Sequence, residues 1–323
     1  MRGSRLGREE AEKNGNTFAP VTLQQTTPHH SLGGDFLRMV TAIVTFANGR
    51  LAHMHRRFKR QVREFGVFGR AFVWTERDLD GDFCKAYDGL LRPEIRGFGY
   101  WVWKPQVILQ ALELLNEGDI LVYLDSGSHL NPRGRERFSG YVRESESSAT
   151  GILAFQTEHR EGHWTKGDLL DFYSVRGHDA VVDSGQIQAG ALVIQKRATS
   201  ADFMRKWLHP FAFDVGLVDN SPSQSPNDPG FRAHRNDQSV FSLIAKDEGI
   251  ATLSASEQYP SGEGMTWADL NLMPFHHRRD KSTAFEKLAV RFAERSVPLQ
   301  VFLVKTKALI LRLTRGTGGS SSD

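Results

Sequence analysis

The run ILVYL, Ile120–Leu124, is five apolar residues without a charge, and it stops at Asp125, followed by Ser126, Gly127 and Ser128. A run of that length bounded by turn residues reads as a strand buried on both faces, which needs a layer of helices above and below it. The surrounding chain supplies such layers. MVTAIVTF (39–46) predicts a first strand, LAHMHRRFKRQVREF (51–65) a basic amphipathic helix and GVFGRAFVW (66–74) a second strand, a β-α-β start. In WKPQVILQALELLNEGD, Val107, Ile108, Ala111, Leu112 and Leu115 fall on one helical face; Pro105 occupies a first turn and Gly118 ends the helix. Further strands are expected at GILAF (151–155) and GALVIQ (190–195), and helices at SADFMRKWLHPF and NDQSVFSLIAKDEG. The alternation predicts an α/β fold with a mainly parallel central sheet and helices on both faces.

The 323 residues suffice for one large α/β domain or two smaller ones. Residues 1–36 are expected to be a flexible leader, 37–313 a single domain and 314–323 a flexible tail, from their polar, Gly- and Ser-rich ends. The leader has Arg2, Arg5 and Arg8 with no apolar run behind them, so it does not read as a secretory signal. One cysteine, Cys84, excludes an internal disulfide framework and fits a reducing, cytoplasmic setting. With 41 basic against 38 acidic residues, the net charge of +3 is too balanced for a dedicated nucleic-acid binder. No stretch approaches the roughly 18 consecutive apolar residues of a membrane span. VPLQVFLVKTKALILRLTR near the C-terminus is apolar but interrupted by Lys305, Lys307 and Arg312, leaving peripheral membrane contact as an expectation to test.

In an open α/β sheet, ligands bind outside the carboxyl ends of the strands, where the strand reading puts Asp125. Its carboxylate is either a ligand or the cap of an Asp-Ser-Gly turn, and spacing alone leaves both open. Asp237 and Gln238 stand at a helix start where Asn236 or Asp237 is a natural N-cap. Residues 214–235, a polar run rich in proline, are a substrate loop or a disordered insertion. EHREGHWTKGD spaces His159 and His163 like a zinc helix but lacks the adjacent glutamate, so it reads as a loop, possible carrier of Lys166 and Asp168 to a substrate. No P-loop is present, and GFGYWV lacks the third glycine of a dinucleotide fingerprint.

Taken together, GFGYWVWKP (97–105), GDILVYLDSG, QAGALVI and NDQSVFSLIAK resemble the GT-A class of nucleotide-sugar glycosyltransferases, especially bacterial capsular and surface-polysaccharide enzymes. The resemblance spans about Thr41 to Lys281. It implies a Rossmann-like domain binding a nucleoside diphosphate sugar, a saccharide or lipid-linked acceptor, and a divalent cation, Mn2+ or Mg2+, on the diphosphate. Asp125 matches the first aspartate of the family's D-x-D motif; Gly127 stands where the second would be, which puts the metal in question and calls on Ser126, Ser128 or His129. By the same resemblance, His276 or His277 completes the metal site, and Lys104, Arg278, Arg279 and Lys281 offset phosphate charge. Thr45, Phe46 and Ala47 line the nucleotide pocket, Gln188, Ala189 and Gly190 pass the sugar, and Asp237 and Gln238 are the catalytic candidates of a retaining enzyme. Trp101 and Trp103 are candidates for ring stacking or for the core. Two rivals stand beside this: a GT-A-like protein that binds nucleotide sugars or glycans without turnover, and a phosphohydrolase drawing further carboxylates from Asp78, Asp80 and Asp82.

Overall fold

The computed structural model describes residues 39–278 except 50 and 262. The expected leader and tail, Arg279, Lys281 and the apolar C-terminal stretch lie outside the described residues.

Strands β1 (Thr41–Phe46), β2 (Arg70–Trp74), β3 (Ile120–Leu124), β5 (Ile152–Arg160), β6 (Gly185–Gln195) and β7 (Ala251–Ser254) form one sheet in the order β2-β1-β3-β6-β5-β7. Pairing is parallel between β1 and each of β2 and β3, and between β5 and β7; β6 runs antiparallel to both of its neighbours. The fold is therefore the expected α/β class, with a mainly parallel sheet and one reversed strand inside it. Two strands, β4 (His129–Leu130) and β8 (Phe275–His276), form a separate antiparallel pair that brings the last described residues back beside β3.

Apolar side chains divide into two clusters, one per sheet face. The helices Trp103–Glu113, Ala198–Phe213 and Asp237–Asp247 cover one face with Val107, Ile108, Trp207 and Phe241. The helices Met54–Phe65 and Arg135–Ser147 cover the other with Phe58, Val62, Phe138 and Tyr141. All five residues of β3 are buried, as a strand between two helix layers must be.

Several boundaries differ from expectation. The first helix begins at Met54 rather than Leu51, and the Trp103 helix ends at Glu113; Gly118, with φ of 86°, turns the chain into β3 instead of capping that helix. Strands β5 and β6 extend through polar residues because side chains reinforce the ladder, Gln156 Nε2 donating to Gly185 O (2.9 Å) and Thr157 Oγ1 to Gln186 O (3.0 Å). The helix at Arg135–Ser147 has no clean apolar stripe, so periodicity does not predict it.

Residues 214–235 are not a disordered insertion. Asp168 accepts from the backbone N–H of Gln224 (3.0 Å) and Ser225 (2.7 Å), and Asn227 Oδ1 accepts from Gly167 N (2.7 Å). Lys166, only 1% exposed, pairs with Asp219 Oδ1 at 3.1 Å. Lys166 and Asp168 therefore fasten this loop rather than reach toward a substrate, because a buried ammonium needs its partner inside the fold. Asp168→Ala is expected to cost about 1.5–3 kcal/mol, the worth of hydrogen bonds to a charged group, and to open residues 219–230 to protease; thermal unfolding and limited proteolysis check both.

Candidate active site at the carboxyl ends of the strands

The chain passes from β1 to β2 on one side and returns to β3 on the other, so the strand order reverses between β1 and β3. Helices leaving two such strands diverge and open a crevice at their carboxyl ends. Asp125, the first residue beyond β3, stands there. Its backbone N–H bonds to Gly190 O (2.9 Å) and its carbonyl accepts from Ser128 N (2.8 Å), while Arg57 donates to the carbonyls of Ser126 and Ser128. Backbone and Arg57 thus hold the turn. The Asp125 carboxylate faces elsewhere: Tyr123 OH donates to Oδ1 at 2.6 Å, and Lys104 Nζ lies 3.5 Å from the same oxygen.

Lys104 sits in the first turn of its helix, 4% exposed, with its ammonium 2.7 Å from Asp237 Oδ2. The expectation that Lys104 looks outward from a helix N-terminus is thereby replaced by a buried bridge between two carboxylates. Asn236, at φ 50°, turns its amide onto Val218 O (2.7 Å) and Asn220 Oδ1 (3.2 Å), so it caps nothing with its side chain, and Asp237 is turned inward to Lys104.

Burial penalises the Lys104 ammonium, but Asp125 and Asp237 outweigh it and hold its pKa above the ordinary lysine value. Burial drives Asp237 up to about 6 despite Lys104, with Asp125 adding to the rise. Burial and then the Asp125 charge push the Tyr123 hydroxyl well above its usual range, keeping it a proton donor to that carboxylate. One ammonium serves two carboxylates, and carboxylates sharing a site are under-neutralised.

Asp125 is the member open to solvent, its side chain 33% exposed. A Cβ on Gly190 would stand 3.0 Å from Asp125 Oδ2 and 3.2 Å from His277 Cε1, so the bare glycine leaves room where carboxylate and imidazole converge. His277 Nδ1 lies 3.1 Å from Ser128 Oγ. His276 turns the other way, buried, with Nε2 2.9 Å from Leu270 O. Of the two adjacent histidines, His277 faces Asp125.

The other expected residues are dispersed around this centre. Thr45, Phe46 and Ala47 are buried at the end of β1, with Phe46 stacked on Trp103 at 4.2 Å, so Trp103 belongs to the core. Ser126 is buried in the turn and Gly127 half-buried. Gln188 is buried on β6, and Gln238 donates through Nε2 to Gln186 Oε1 at 2.6 Å. The Arg278 guanidinium stacks over Trp267 at 4.7 Å. Asp80 caps a short helix by accepting from Asp82 N and Phe83 N, which gives it a structural use outside this crevice. Directly before Lys104, residues 97–101 all have positive φ (64°, 56°, 92°, 52° and 63°). For Phe98, Tyr100 and Trp101 this costs roughly 1–2 kcal/mol each. Gly97 makes the turn possible, since a Cβ there would meet the Trp101 ring at 2.4 Å.

Among the described residues no group of three or more His, Cys, Asp or Glu side chains converges as a metal site. Asp125 and His277 offer two donors, and hard cations in phosphate sites commonly take one or two protein ligands and complete the shell with substrate oxygens and water. The net negative charge of the Asp125–Lys104–Asp237 cluster suits a cation. The residues fit a divalent ion of that shared kind.

No protein-family model and no curated protein sequence matches the chain. Among solved structures, it overlaps a glycosyltransferase involved in glycosylation of the major capsid of PBCV-1 at 11% identity and a TM-score of 0.40, covering 74% of this chain and 92% of that one. It overlaps the bifunctional glycosyltransferase WbbM at 11% identity and 0.43, covering 77% of this chain and about half of that one, 47%. The galactosyltransferase LgtC, in complex with donor and acceptor sugar analogues, overlaps at 13% identity and 0.40, covering 73% and 86%. Overlaps this partial say nothing about chemistry, which rests on the site's own residues.

The Asp237 pKa gives a signed expectation. Its folded value of about 6 lies above the ordinary 3.8, so the folded chain holds the extra proton between these values. The contribution of this carboxylate to stability falls as pH rises through that window. Asp237→Asn is expected to flatten that part of the stability profile, read by thermal unfolding of both proteins from pH 4 to 7; an unchanged slope would assign it to other groups.

Proposed function

We propose that this chain is a glycosyltransferase that moves a sugar from a nucleoside diphosphate donor to a saccharide or lipid-linked saccharide acceptor. The observation that carries the reading is the Asp125–Lys104–Asp237 cluster, a buried ammonium between two carboxylates of which one opens into the crevice at the strand ends. A charge cluster perturbed by burial and by its own charges, sitting in such a crevice, is a candidate functional site.

In this reading Asp125 and His277 hold a divalent cation, Mn2+ or Mg2+, together with the donor diphosphate. When bound, the ion offsets negative charge gathering on the departing diphosphate. Lys104 bridges the two carboxylates and fixes their separation. Tyr123 donates to Asp125 Oδ1 and so leaves Oδ2 as the outward oxygen. Thr45, Phe46 and Ala47 border the nucleoside, Gln188 and Gly190 the sugar, with Asp237 and Gln238 nearest its reacting carbon and transfer proceeding with retention. Arg278 supplies a further phosphate contact. A cytoplasmic enzyme touching the membrane only peripherally would suit a lipid-linked acceptor; among the described residues no helix is long and apolar enough to cross a membrane.

Gly127 in place of a second aspartate favours one rival, a protein that binds nucleotide sugars without turning them over. Calorimetry with UDP and GDP, each with and without manganese, tests the donor site in wild type and Asp125→Asn. Binding of one nucleotide that depends on manganese and weakens at least tenfold in the variant, about 1.4 kcal/mol, is expected. Folded wild type that binds neither would sink the reading, and binding without sugar release from any nucleotide sugar would leave the rival.

A further inference from the structure

Beneath Gln238 lies a chain of buried polar side chains that the scheme above does not use. Glu161, 0% exposed, follows β5. Its carboxylate accepts from Thr165 Oγ1 (2.6 Å), Gln186 Nε2 (3.0 Å) and the Ser242 hydroxyl, and pairs with Lys246 Nζ at 2.7 Å. An ionised carboxylate offers only lone pairs, so the end of the Gln186 amide that meets it is the NH2. Gln186 Oε1 then points the other way, where Gln238 Nε2 (2.6 Å) and Arg235 Nη1 (3.4 Å) meet it.

That oxygen also can only accept, so Gln238 must turn its own NH2 inward. The reverse orientation would set two carbonyl oxygens at 2.6 Å, a repulsive contact. Gln238 Oε1 is thereby the atom turned away from Gln186. Gln238 is half-buried, next to the Asp237 that grips Lys104. Ser239 Oγ braces the relay, accepting from Gln186 Nε2 (3.3 Å) and Arg235 N (3.2 Å) and donating to Trp164 O (2.8 Å). Arg235 lies flat over Trp164 at 3.9 Å.

We propose that Glu161 is a positioning residue: through Gln186 it fixes the polarity of Gln238, so that Gln238 offers the crevice a carbonyl oxygen, an acceptor that selects a hydroxyl of the bound sugar. The sugar as ligand rests on the glycosyltransferase reading; the amide polarity does not. With an amide at position 161 the base of the relay can donate as well as accept, and both orientations of Gln186 and Gln238 become available.

Two measurements on the full chain test this, in wild type, Glu161→Gln and Glu161→Gln/Lys246→Met, the last removing the ammonium that would otherwise stay half-buried without its partner. The first is proton exchange of the glutamine side-chain amides by NMR, with Gln238→Met identifying the Gln238 signal. Slow exchange at Gln238 in wild type, faster by about tenfold in both variants, is expected from loss of one net hydrogen bond. Wild-type exchange as fast as that of a solvent-exposed glutamine, or variants identical to wild type, would overturn the proposal.

The second compares a nucleotide sugar with the bare nucleoside diphosphate by calorimetry. The variants are expected to bind the nucleotide sugar about tenfold more weakly and the bare diphosphate unchanged, the tenfold matching one hydrogen bond. Equal weakening of both would show a general structural role and overturn the positioning role. Wild type that binds no nucleotide would remove the sugar as ligand, while the exchange measurement still decides whether Glu161 sets the polarity.

Discussion

The structure turns on a lysine that cannot leave. Lys104 is 4% exposed, and its ammonium joins the end of β3, through Asp125, to the start of the Asp237–Asp247 helix. Bringing such an ion into the interior costs several kcal/mol, a cost that Coulomb attraction offsets only when the partners are close and fixed. A pair of apolar residues would hold a strand end and a helix end together with less. Retaining three charges there makes sense when the charge itself is used, because one of the three opens onto the crevice.

The sheet supplies the fixity. Parallel β1 and β3 end at the same level, so residues leaving them share one mouth. The reversed strand β6 runs past that mouth from the opposite direction, and Leu124 stands opposite Ala191 in their pairing. Gly190 therefore comes to lie beside Asp125, and a side chain there would fill the space between Asp125 and His277. The small β4–β8 pair does the same for the end of the described chain, since His276 opposite His129 leaves His277 to face the other way. His277 follows the strand directly, and its side chain leaves on the opposite side from that of His276, whose Nε2 is turned to Leu270 O.

The parts that were legible in the sequence are those with a local cause. The strand ILVYL, its terminal Asp125 and the helix stripe Val107–Leu112 follow from periodicity, and the period of two also puts Tyr123 on the same side as Asp125. What local pattern cannot carry is partnership across the chain. Lys104 and Asp237 are 133 positions apart, and an Asn-Asp pair at a helix start reads first as a cap; only tertiary contact shows Asn236 bonded to Val218 and Asp237 turned to the lysine. The loop 214–235 reads as a substrate loop or a disordered insertion for a related reason. Its backbone amides and the Asn227 side chain bond with residues 167 and 168, whose own sequence gives no sign of serving as their anchor.

Two of the buried lysine–carboxylate pairs among the described residues, those of Lys104 and Lys246, differ in one respect that bears on their use. Lys246 meets the single carboxylate of Glu161, which is also saturated by two hydroxyls and an amide, so that centre is neutral and sealed. Lys104 meets two carboxylates: burial raises Asp237 to about 6 with Asp125 adding to the rise, and the Asp125 side chain is one-third exposed. A neutral, fully bonded centre has nothing left to offer a ligand, and it serves to fix the groups around it. The under-neutralised one takes up a proton, on Asp237, as pH falls toward about 6. Asp237 and Gln238 are neighbours at one helix start, so both centres are tied to that helix, one through Lys104 and the other through Gln186.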